Sequence, residues 1–317
     1  MIIRLFIFFS IVFLGCAVEQ TNEPKSVSED DNLNFDLPVV GSIQTLDIMT
    51  WNIEFFPKTN TTSFYLESII NSINVDIIAL QEITDQNEFN NLVSNLDGDW
   101  LGFRSENTSY GELAFLINQD NVAVTQNPYK LSSSYFSNLS SADFEYIFSY
   151  RAPYILKINF QNKEYVVVNV HYKCCGDGTL ENEISNDEEY RRFQSSKYLK
   201  EFIDNEFYDQ SVIILGDFND NINDDINNNI FIEFINDNDN YYFADTDIAN
   251  GSTSNWSFPT WPSHLDHILV TNELFNSYNN DMIFTLKIDN YVGWNFYETY
   301  ISDHRPVIIK LSENLNL

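Results

Sequence analysis

Two histidines stand beside predicted strands, where they could transfer protons. The stretch "ISDHRPVIIKL" (301–311) places Asp303 and His304 directly before an Arg-Pro step and an apolar run. Residues 307–309 predict a buried strand, and Pro306 suits its first position. His171 likewise follows the apolar run "YVVVNV" (165–170). Because imidazole exchanges protons near neutral pH, His171 and His304 are candidates for acid–base chemistry.

Carboxylate and amide side chains recur at the ends of other predicted strands. Taken singly, such residues more often form turns or cap helices. Their repetition at strand ends favours a shared site, because loops that connect strands are where sites are usually built. Their oxygen atoms are the ligands that Mg²⁺ and Mn²⁺ prefer. The residues concerned are Asn52, Glu82, Asp217, Asn219 and Asp266.

The elements that must position these residues are mostly strands. Periodic apolar runs predict strands at 46–53, 76–80, 113–118, 154–160, 165–170, 211–215, 265–270 and 306–311. Residues 186–203 predict a helix with Asn186 as its N-cap and acidic residues in its first turn. Many strands with few helices indicate two mixed sheets packed face to face, with helices outside, an α+β fold.

The order of these segments resembles the endonuclease/exonuclease/phosphatase superfamily, and within it the pancreatic-type deoxyribonucleases. The resemblance covers nearly all of residues 45–313, and "GDFN" together with "SDHRPV" makes it specific. It implies a four-layered α/β/β/α sandwich and a divalent-metal phosphoesterase. The segments that carry it are "WNIEFF", "ALQEITD", "SYGELAFLI", "RAPYILKI", "VNVHYK", "ILGDFND", "LDHILV" and "ISDHRPV".

The resemblance also implies a role for each residue. Glu82 would be the main ligand of Mg²⁺ or Mn²⁺, with Asn52 and Asp303 beside it. Asp217 and Asn219 would orient the phosphate and the attacking water, or share a second metal ion. Hydrolysis of a phosphodiester needs these functions, because charge develops on the phosphoryl oxygens and on the leaving oxygen.

His171 and His304 would form the acid–base pair, and each needs a carboxylate that fixes its tautomer. The resemblance assigns Asp266 to His304 and Glu112 to His171, and it makes Arg151 a ligand of a phosphate oxygen. Which histidine is the base stays open, and other branches of the superfamily give that role to the aspartate that matches Asp217. The histidines at 264 and 267 are left out of the predicted site.

Two departures from the deoxyribonuclease pattern bear on the substrate. Those enzymes carry DNA-contacting arginines where this chain has Glu54 and Thr84, and the loop "KCCGDG" is also unlike theirs. The formal net charge of −31 excludes a tight nucleic-acid binder but permits transient contact during turnover. These departures weigh against DNA as the substrate but not against phosphoester hydrolysis. The motifs still favour a surface nuclease that acts on extracellular DNA or RNA. The alternatives are hydrolysis of phospholipid head groups or small phosphate esters, and, more remotely, a surface protein that only binds.

The N-terminus resembles a bacterial lipoprotein signal. Arg4 precedes the apolar residues 5–14, and "FLGC" ends at Cys16, which would carry the lipid. The alternative is a plain secretory signal. Residues 17–44 are polar and acidic and predict a flexible tether. We therefore expect an extracytoplasmic, membrane-anchored monomer.

Two further cysteines, Cys174 and Cys175, are adjacent in the chain. Either they form a strained disulfide between neighbours, or they are buried thiols. A zinc site is disfavoured, because zinc-binding cysteine pairs usually have residues between them.

Overall fold

The computed structural model describes residues 35–105, 111–181 and 184–313. The predicted signal peptide, with Cys16, and most of the predicted tether lie outside the described residues. Residues 35–44, which we assigned to the tether, pack against the domain instead. The ring of Phe35 lies 6.1 Å from those of Tyr65 and Phe296, and the backbone N–H groups of Val40 and Gly41 donate to a carbonyl oxygen of the first helix. The ordered domain therefore includes these residues.

Two six-stranded sheets form the centre of the domain. The first sheet has the order β11-β12-β1-β2-β4-β3, and the second has the order β5-β6-β7-β8-β10-β9. The strands are β1 (Leu46–Phe56), β2 (Ile77–Ile83), β3 (Trp100–Arg104), β4 (Glu112–Asn118), β5 (Ala123–Lys130), β6 (Tyr154–Phe160), β7 (Lys163–His171), β8 (Val212–Asp217), β9 (Tyr241–Phe243), β10 (Asp266–Thr271), β11 (Ile283–Thr285) and β12 (Val307–Leu311).

Helices flank the two sheets, so the predicted four-layered α+β sandwich is confirmed. The α-helices are α1 (Thr62–Ile73), α2 (Gln86–Asn95), α3 (Ser141–Ile147), α4 (Glu188–Glu206), α5 (Ile232–Ile235), α6 (Thr246–Ala249), α7 (Asp289–Val292) and α8 (Trp294–Tyr300). Among the described residues, no helix is both long and apolar enough to cross a membrane.

Strand direction brings the predicted site residues to one edge of the sandwich. β1 runs parallel to β2, and β7 runs parallel to β8, so the carboxyl ends of each pair coincide. β10 is antiparallel to β8 and β12 is antiparallel to β1, so β10 and β12 begin at the ends where β8 and β1 finish. Polar residues that end some strands and begin others therefore converge.

The alternation of side chains along β7 divides the core into two layers. Val167 points between the sheets with Leu215 of β8, whereas Val166 and Val168 pack outward against Leu199 of α4 and its neighbours. Because both faces of the central strands are covered, these strands consist almost entirely of apolar residues. This is why the sequence predicted them well.

A buried amide pair interrupts the apolar layer between the sheets. The Nδ2 of Asn169 on β7 donates to the carbonyl oxygens of Leu80 and Ala114, at 2.9 and 3.0 Å. Its Oδ1 accepts from the Nε2 of Gln81 at 2.8 Å. Since β2 and β4 change register just beyond Leu80, the Asn169 side chain supplies partners where the ladder between these strands is irregular. The contact links the two sheets directly behind the site.

The start of α4 corrects one prediction. The N-cap is Asp187, not Asn186, because the Oδ1 of Asp187 accepts from the backbone N–H of Tyr190 at 2.6 Å. Either residue type caps a helix well, so the sequence alone did not separate the two neighbours.

Replacing Asn169 with alanine tests the link between the sheets. We expect Asn169→Ala to lower the free energy of unfolding by roughly 2–4 kcal/mol, because it leaves buried carbonyl and amide groups without partners. Urea unfolding measures this change. Asn159→Ala is the control, because Asn159 accepts only an exposed turn N–H at 3.1 Å. Equal losses in the two variants would contradict the role given to Asn169.

Candidate active site

Most of the predicted site residues line one cavity at the converging strand ends. The cavity has a volume of about 390 Å³. The predicted residues that line it are Asn52, Glu82, His171, Asp217, Asn219, Asp303 and His304.

Asp217 lies at the centre of this group. It ends β8 and is in register with His171 of β7 on one side and Asp266 of β10 on the other. Its Oδ2 accepts from the Nδ2 of Asn52 at 3.0 Å and lies 3.5 Å from the Nε2 of His171 and 3.9 Å from the Nε2 of His304. Burial raises the pKa of Asp217 to about 7, although the nearby His304 opposes the shift. The two imidazoles therefore flank one buried carboxylate.

The predicted pair of His304 with Asp266 is present. The Nδ1 of His304 lies 2.7 Å from the Oδ2 of the fully buried Asp266, which leaves the Nε2 directed towards the cavity. Burial alone would lower the pKa of His304, but the charge and hydrogen bond of Asp266 outweigh it and raise the pKa to about 10. His304 is therefore protonated at neutral pH and can donate a proton from Nε2.

The predicted hydrogen bond between His171 and Glu112 is absent. Among the described residues, the Nδ1 of His171 has no hydrogen-bond partner. The Oε2 of Glu112 instead accepts from the hydroxyl of Ser105 at 2.7 Å. Ser105 directly follows the neighbouring strand β3. Burial, with the positive charge of Arg151, lowers the pKa of His171 well below its usual value. His171 is therefore neutral at pH 7 and can accept a proton.

Arg151 lies beside the cavity rather than on its surface. Its guanidinium NH2 donates to the carbonyl oxygen of Tyr172 at 3.0 Å, and its buried Nε has no hydrogen-bond partner among the described residues. Burial lowers its pKa, while the carboxylates of Asp217 and Glu82 act in the opposite direction. In this position the charge of Arg151 acts on His171, and the predicted role of Arg151 as a ligand of a phosphate oxygen stays a prediction.

Asn52, a predicted metal ligand, joins the acidic groups of the cavity through its side-chain amide. Its Nδ2 faces Glu82 at 3.2 Å as well as Asp217, and its Oδ1 accepts from the backbone N–H of Glu54 at 3.0 Å. The amide oxygen is thus turned away from the carboxylates. Asn52 therefore acts here as a donor that joins two acidic groups, and its role as a metal ligand stays a prediction.

The other two predicted ligands fit a divalent cation. The carboxylates of Glu82 and Asp303 are partly exposed on the cavity wall, with 16% and 29% of their side chains accessible. Both offer hard oxygen atoms, which suit Mg²⁺ or Mn²⁺. Of the carboxylates around Asp217, that of Asp266 is already bonded to His304 and is fully buried. Glu82 and Asp303 thus fit the predicted ligand role, and beside them Asp217, Asp266 and His304 form a buried group that could also hold an ion.

Several cavity residues have left-handed backbone conformations. Glu54, Phe55, Glu82 and Asn219 have φ angles of 40°, 52°, 66° and 56°. Such values are uncommon outside glycine and concentrate at functional sites, where the surrounding structure must compensate for their cost. These positions lie near the ends of β1, β2 and β8.

Sequence reasoning missed the residues that hold Asp303 and His304 in place. The backbone N–H of Asp303 donates to Glu54 Oε2 at 3.0 Å, and Ser302 Oγ donates to the carbonyl oxygen of Asn52 at 2.6 Å. Phe258 packs against the His304 ring with a centroid distance of 4.8 Å. Glu54 was noted only as a departure from the deoxyribonuclease pattern. Its place in "WNIEFF", a segment that carries the family resemblance, was a signal that could have indicated a role in the site.

The two histidines left out of the predicted site form a separate buried cluster. His264 Nε2 and His267 Nδ1 lie 3.0 and 2.6 Å from Asp245 Oδ2. The Nε2 of His267 reaches the carbonyl oxygen of Asp220 at 2.9 Å, so both of its nitrogens have partners. Burial would raise the pKa of Asp245, but the two histidines lower it further than burial raises it. The cluster is a group of three buried side chains that satisfy one another's hydrogen bonds outside the cavity.

Cys174 and Cys175 are exposed free thiols, which excludes the alternative of buried thiols. Both line the cavity, and the sequence had predicted no role in the site for either.

Solved structures share this fold at low sequence identity. A D. rerio TDP2 crystal structure complexed with single-strand DNA product has a TM-score of 0.60 and 14% identity, covering 84% of this chain and 98% of that one. An endonuclease/exonuclease/phosphatase from Bacteroides vulgatus has a TM-score of 0.57 and 16% identity, covering 84% and 98%. The human Nocturnin catalytic domain with bound sulfate has a TM-score of 0.55 and 14% identity, covering 85% and 93%. No curated protein matches the chain.

The sequence model of one protein family matches most of the domain. The Endonuclease/Exonuclease/phosphatase family matches residues 49–304, a span from β1 to His304 that includes every residue of the cavity described above. Members of this family are metal-dependent hydrolases of phosphoric esters, and the buried acidic and histidine groups of the cavity agree with that chemistry. The chain therefore belongs to the Endonuclease/Exonuclease/phosphatase family.

Proposed function

We propose that this protein is a metal-dependent phosphodiesterase that cleaves nucleic acid. The observation that carries the proposal is the placement of two imidazoles around the buried carboxylate of Asp217, at the end of the cavity strands. His304 has a raised pKa and His171 a lowered one, and each directs its Nε2 towards the same carboxylate oxygen. Pairs of groups whose pKa values are driven apart are typical of acid–base catalysis.

The protonation states suggest a role for each histidine. Neutral His171 accepts a proton from the attacking water at Nε2, and protonated His304 donates one from Nε2 to the leaving oxygen. Asp266 holds the His304 ring through Nδ1 and stabilises its charge. Asn219 is fixed beside them, because its backbone N–H donates to Asp217 and its Nδ2 donates to the carbonyl oxygen of Tyr172.

A divalent cation held by Glu82 and Asp303 would supply charge neutralisation at the phosphoryl oxygens. Glu82 is prepared for this role by its neighbours: Oε1 accepts from Asn52 and Oε2 from the backbone N–H of Phe55. These bonds orient the carboxylate before any ligand binds. Preorganised groups of this kind cost little rearrangement during the reaction.

Nucleic acid is supported as the substrate by the fold shared with the TDP2 structure that contains a single-strand DNA product. A second candidate, small phosphate esters or phospholipid head groups, is favoured by two residues in and near the cavity. Glu54 forms an ion pair with Lys58, and Thr84 donates to the carbonyl oxygen of Phe56. Neither residue offers the positive charge that a DNA backbone attracts.

We further propose that the protein is a lipid-anchored enzyme that acts on extracellular nucleic acid. The support is the apolar segment 5–14 followed by "LGC" and the acidic, polar residues after it. A net charge of −31 also suits an exposed surface in salty surroundings, where repulsion between like charges is screened.

Glu82→Gln tests the metal and the reaction together. We expect the variant to retain its fold but to lose at least about 10²-fold in turnover, because the amide removes the negative charge that holds the cation. Turnover is measured with Mg²⁺ or Mn²⁺ on plasmid DNA, RNA, sphingomyelin and inositol phosphates. Glu164→Gln at the exposed opposite end of β7 is the control for charge. Full activity in excess chelator would exclude the metal, and preference for a phospholipid would favour the second candidate.

The His304–Asp266 pair should set the alkaline limit of activity. His304 is needed protonated, so activity falls as pH rises through its raised pKa. Asp266→Asn removes the group that raises this pKa, and the alkaline limb of the kcat profile should move to lower pH by about 1–3 units. Asp245→Asn, which breaks the other buried histidine pair, should lower the melting temperature without moving this limb. An unmoved limb in Asp266→Asn would contradict the assignment.

Removing either imidazole should cost more than removing Asp266. We expect His171→Ala and His304→Ala each to lose about 10²–10⁴ in rate, since each removes one proton-transfer group. Asp266→Asn combined with His304→Ala should add little to the loss from His304→Ala alone, because the carboxylate acts through the ring. Additive losses would show that Asp266 acts independently.

Cys16→Ser tests the anchor. We expect the native protein in the membrane fraction with a lipid-modified N-terminal cysteine, and the variant without this modification. Mass spectrometry of the N-terminal peptide and fractionation of expressing cells measure both. A soluble native protein with a different N-terminus would contradict the anchor and favour a plain secretory signal.

A further inference from the structure

Two adjacent thiols lie on the wall of the active-site cavity. We call residues 173–178, which follow β7, the cysteine loop. The sulfur atoms of Cys174 and Cys175 are 3.1 Å apart, with the Cys175 thiol donating to the Cys174 sulfur. Both residues are exposed, and both line the cavity that contains His171 and Asp217. No step of the proposed hydrolysis uses either thiol.

The backbone of the cysteine loop is fastened to α4. The NH1 of Arg192 donates to the carbonyl oxygens of Lys173 and Cys175, at 2.9 and 2.6 Å. Glu189 Oε1 accepts from the backbone N–H of Gly178 at 2.6 Å. These contacts fix the loop on both sides of the two cysteines, so the thiols are held side by side facing the cavity.

The Arg192 guanidinium, which binds the cysteine loop, also binds the turn after β8. The Nε of Arg192 lies 2.7 Å from Asp220 Oδ2, and Asp220 directly follows Asn219, which lines the cavity. The conformation of the cysteine loop is therefore connected, through one buried guanidinium, to the segment that carries Asn219 and follows Asp217.

We propose that Cys174 and Cys175 are a site of reversible thiol–disulfide exchange, and that their oxidation slows the enzyme. The effect on activity rests on the function proposed above, whereas the thiol chemistry does not. The co-reactant is a small-molecule disulfide such as oxidised glutathione.

The exchange proceeds in two balanced steps. The Cys174 thiolate attacks one sulfur of the small disulfide and displaces one thiolate, which leaves a mixed disulfide on Cys174. Cys175 loses its proton and attacks the Cys174 sulfur, which releases the second small thiolate. Two electrons and two protons pass from the cysteine pair to the small disulfide, giving two small thiols. The Nζ of Lys173, 3.7 Å from the Cys174 sulfur, offers the first thiolate a counter-charge.

The short distance between the sulfurs favours completion of the second step. Groups held in contact react far faster than free reagents, so the mixed disulfide should be resolved by Cys175 before it accumulates. The product closes a small ring that includes the peptide bond between the two cysteines. Such a ring departs from ordinary disulfide geometry, and strained, exposed disulfides are the readily reduced ones. The modification is therefore reversible.

Closing this ring should disturb the cavity. The peptide between the cysteines must reorient, and the Cys175 carbonyl then loses its bond to Arg192. Because Arg192 also binds Asp220, the turn that carries Asn219 is disturbed as well. Small displacements of groups that position a substrate cost large factors in rate.

A zinc site is the other use of paired thiols, and the surroundings do not support it. In the described part of the chain, neither sulfur belongs to a cluster of three metal-ligating side chains. A structural zinc ion needs four such ligands.

The test uses the full chain equilibrated in glutathione buffers of increasing oxidised fraction. Free thiols are then blocked and the protein is digested with trypsin. Cleavage after Lys173 and Arg191 yields peptide 174–191, which contains both cysteines and no third one. From oxidised buffer we expect this peptide to be lighter than the unmodified peptide by two hydrogen atoms and to carry neither glutathione nor a blocking group. From reduced buffer it should carry a blocking group on each cysteine. Cys175→Ser should instead retain a glutathione adduct on Cys174, because the resolving thiol is missing.

Two readouts on the same samples test the consequence for the cavity. Amide hydrogen exchange should become faster in residues 173–178 and 217–221 of the oxidised wild type, which requires no substrate. Turnover of the best phosphoester should fall on the order of tenfold and recover on reduction. Cys174→Ser/Cys175→Ser, compared with itself in both buffers, should show neither change.

The outcomes separate the two proposals. A stable glutathione adduct on the wild type, or no oxidation of peptide 174–191, would overturn the thiol site. Oxidation that changes neither amide exchange nor turnover would overturn its effect on the cavity. A protein that forms the disulfide with the expected change in exchange, yet hydrolyses no phosphoester, would support the thiol site and refute the proposed function.

Discussion

The buried carboxylate of Asp217 forms a hydrogen bond that links the two sheets at the active site. It belongs to the second sheet, yet one of its hydrogen-bond donors, Asn52, belongs to the first. An ionised carboxylate without partners would be very costly at this depth, so the surrounding donors are required for the fold as well as for the site. The imidazoles of His171 and His304 approach the same oxygen, which ties their proton affinities to the packing of the sandwich.

The geometry of the strand ends follows from packing farther inside. Asn169 and Gln81 hydrogen-bond across the apolar layer. Asn169 lies two residues before His171 on β7, directly behind the cavity. Because a slip of one residue would reverse every side chain of β7, this polar contact helps to fix the register that directs His171 to the cavity. Fold stability and site geometry therefore depend on the same few buried polar groups.

The sequence predicted the central strands and the residues at their ends, but not every partner. β7 and β8 are covered on both faces, so their apolar runs were clear, whereas β5 is a mostly exposed edge strand containing Pro128 and had no such pattern. The His304–Asp266 pair was predicted correctly. The Glu112–His171 bond was not formed, because Glu112 binds Ser105 on the neighbouring segment, a contact that depends on tertiary packing.

The opposite protonation of the two histidines arises from unequal surroundings rather than from distance to Asp217. Both rings are buried, which by itself would make both neutral. His304 gains a dedicated carboxylate at Nδ1, whereas the Nδ1 of His171 has no partner in the described chain and Arg151 lies nearby. Burial therefore keeps the His171 imidazole neutral, with a smaller contribution from Arg151, while Asp266 keeps the His304 imidazole charged. A strongly acidic protein can in this way maintain a neutral base within a cavity of carboxylates, because the base is buried and a guanidinium lies beside it.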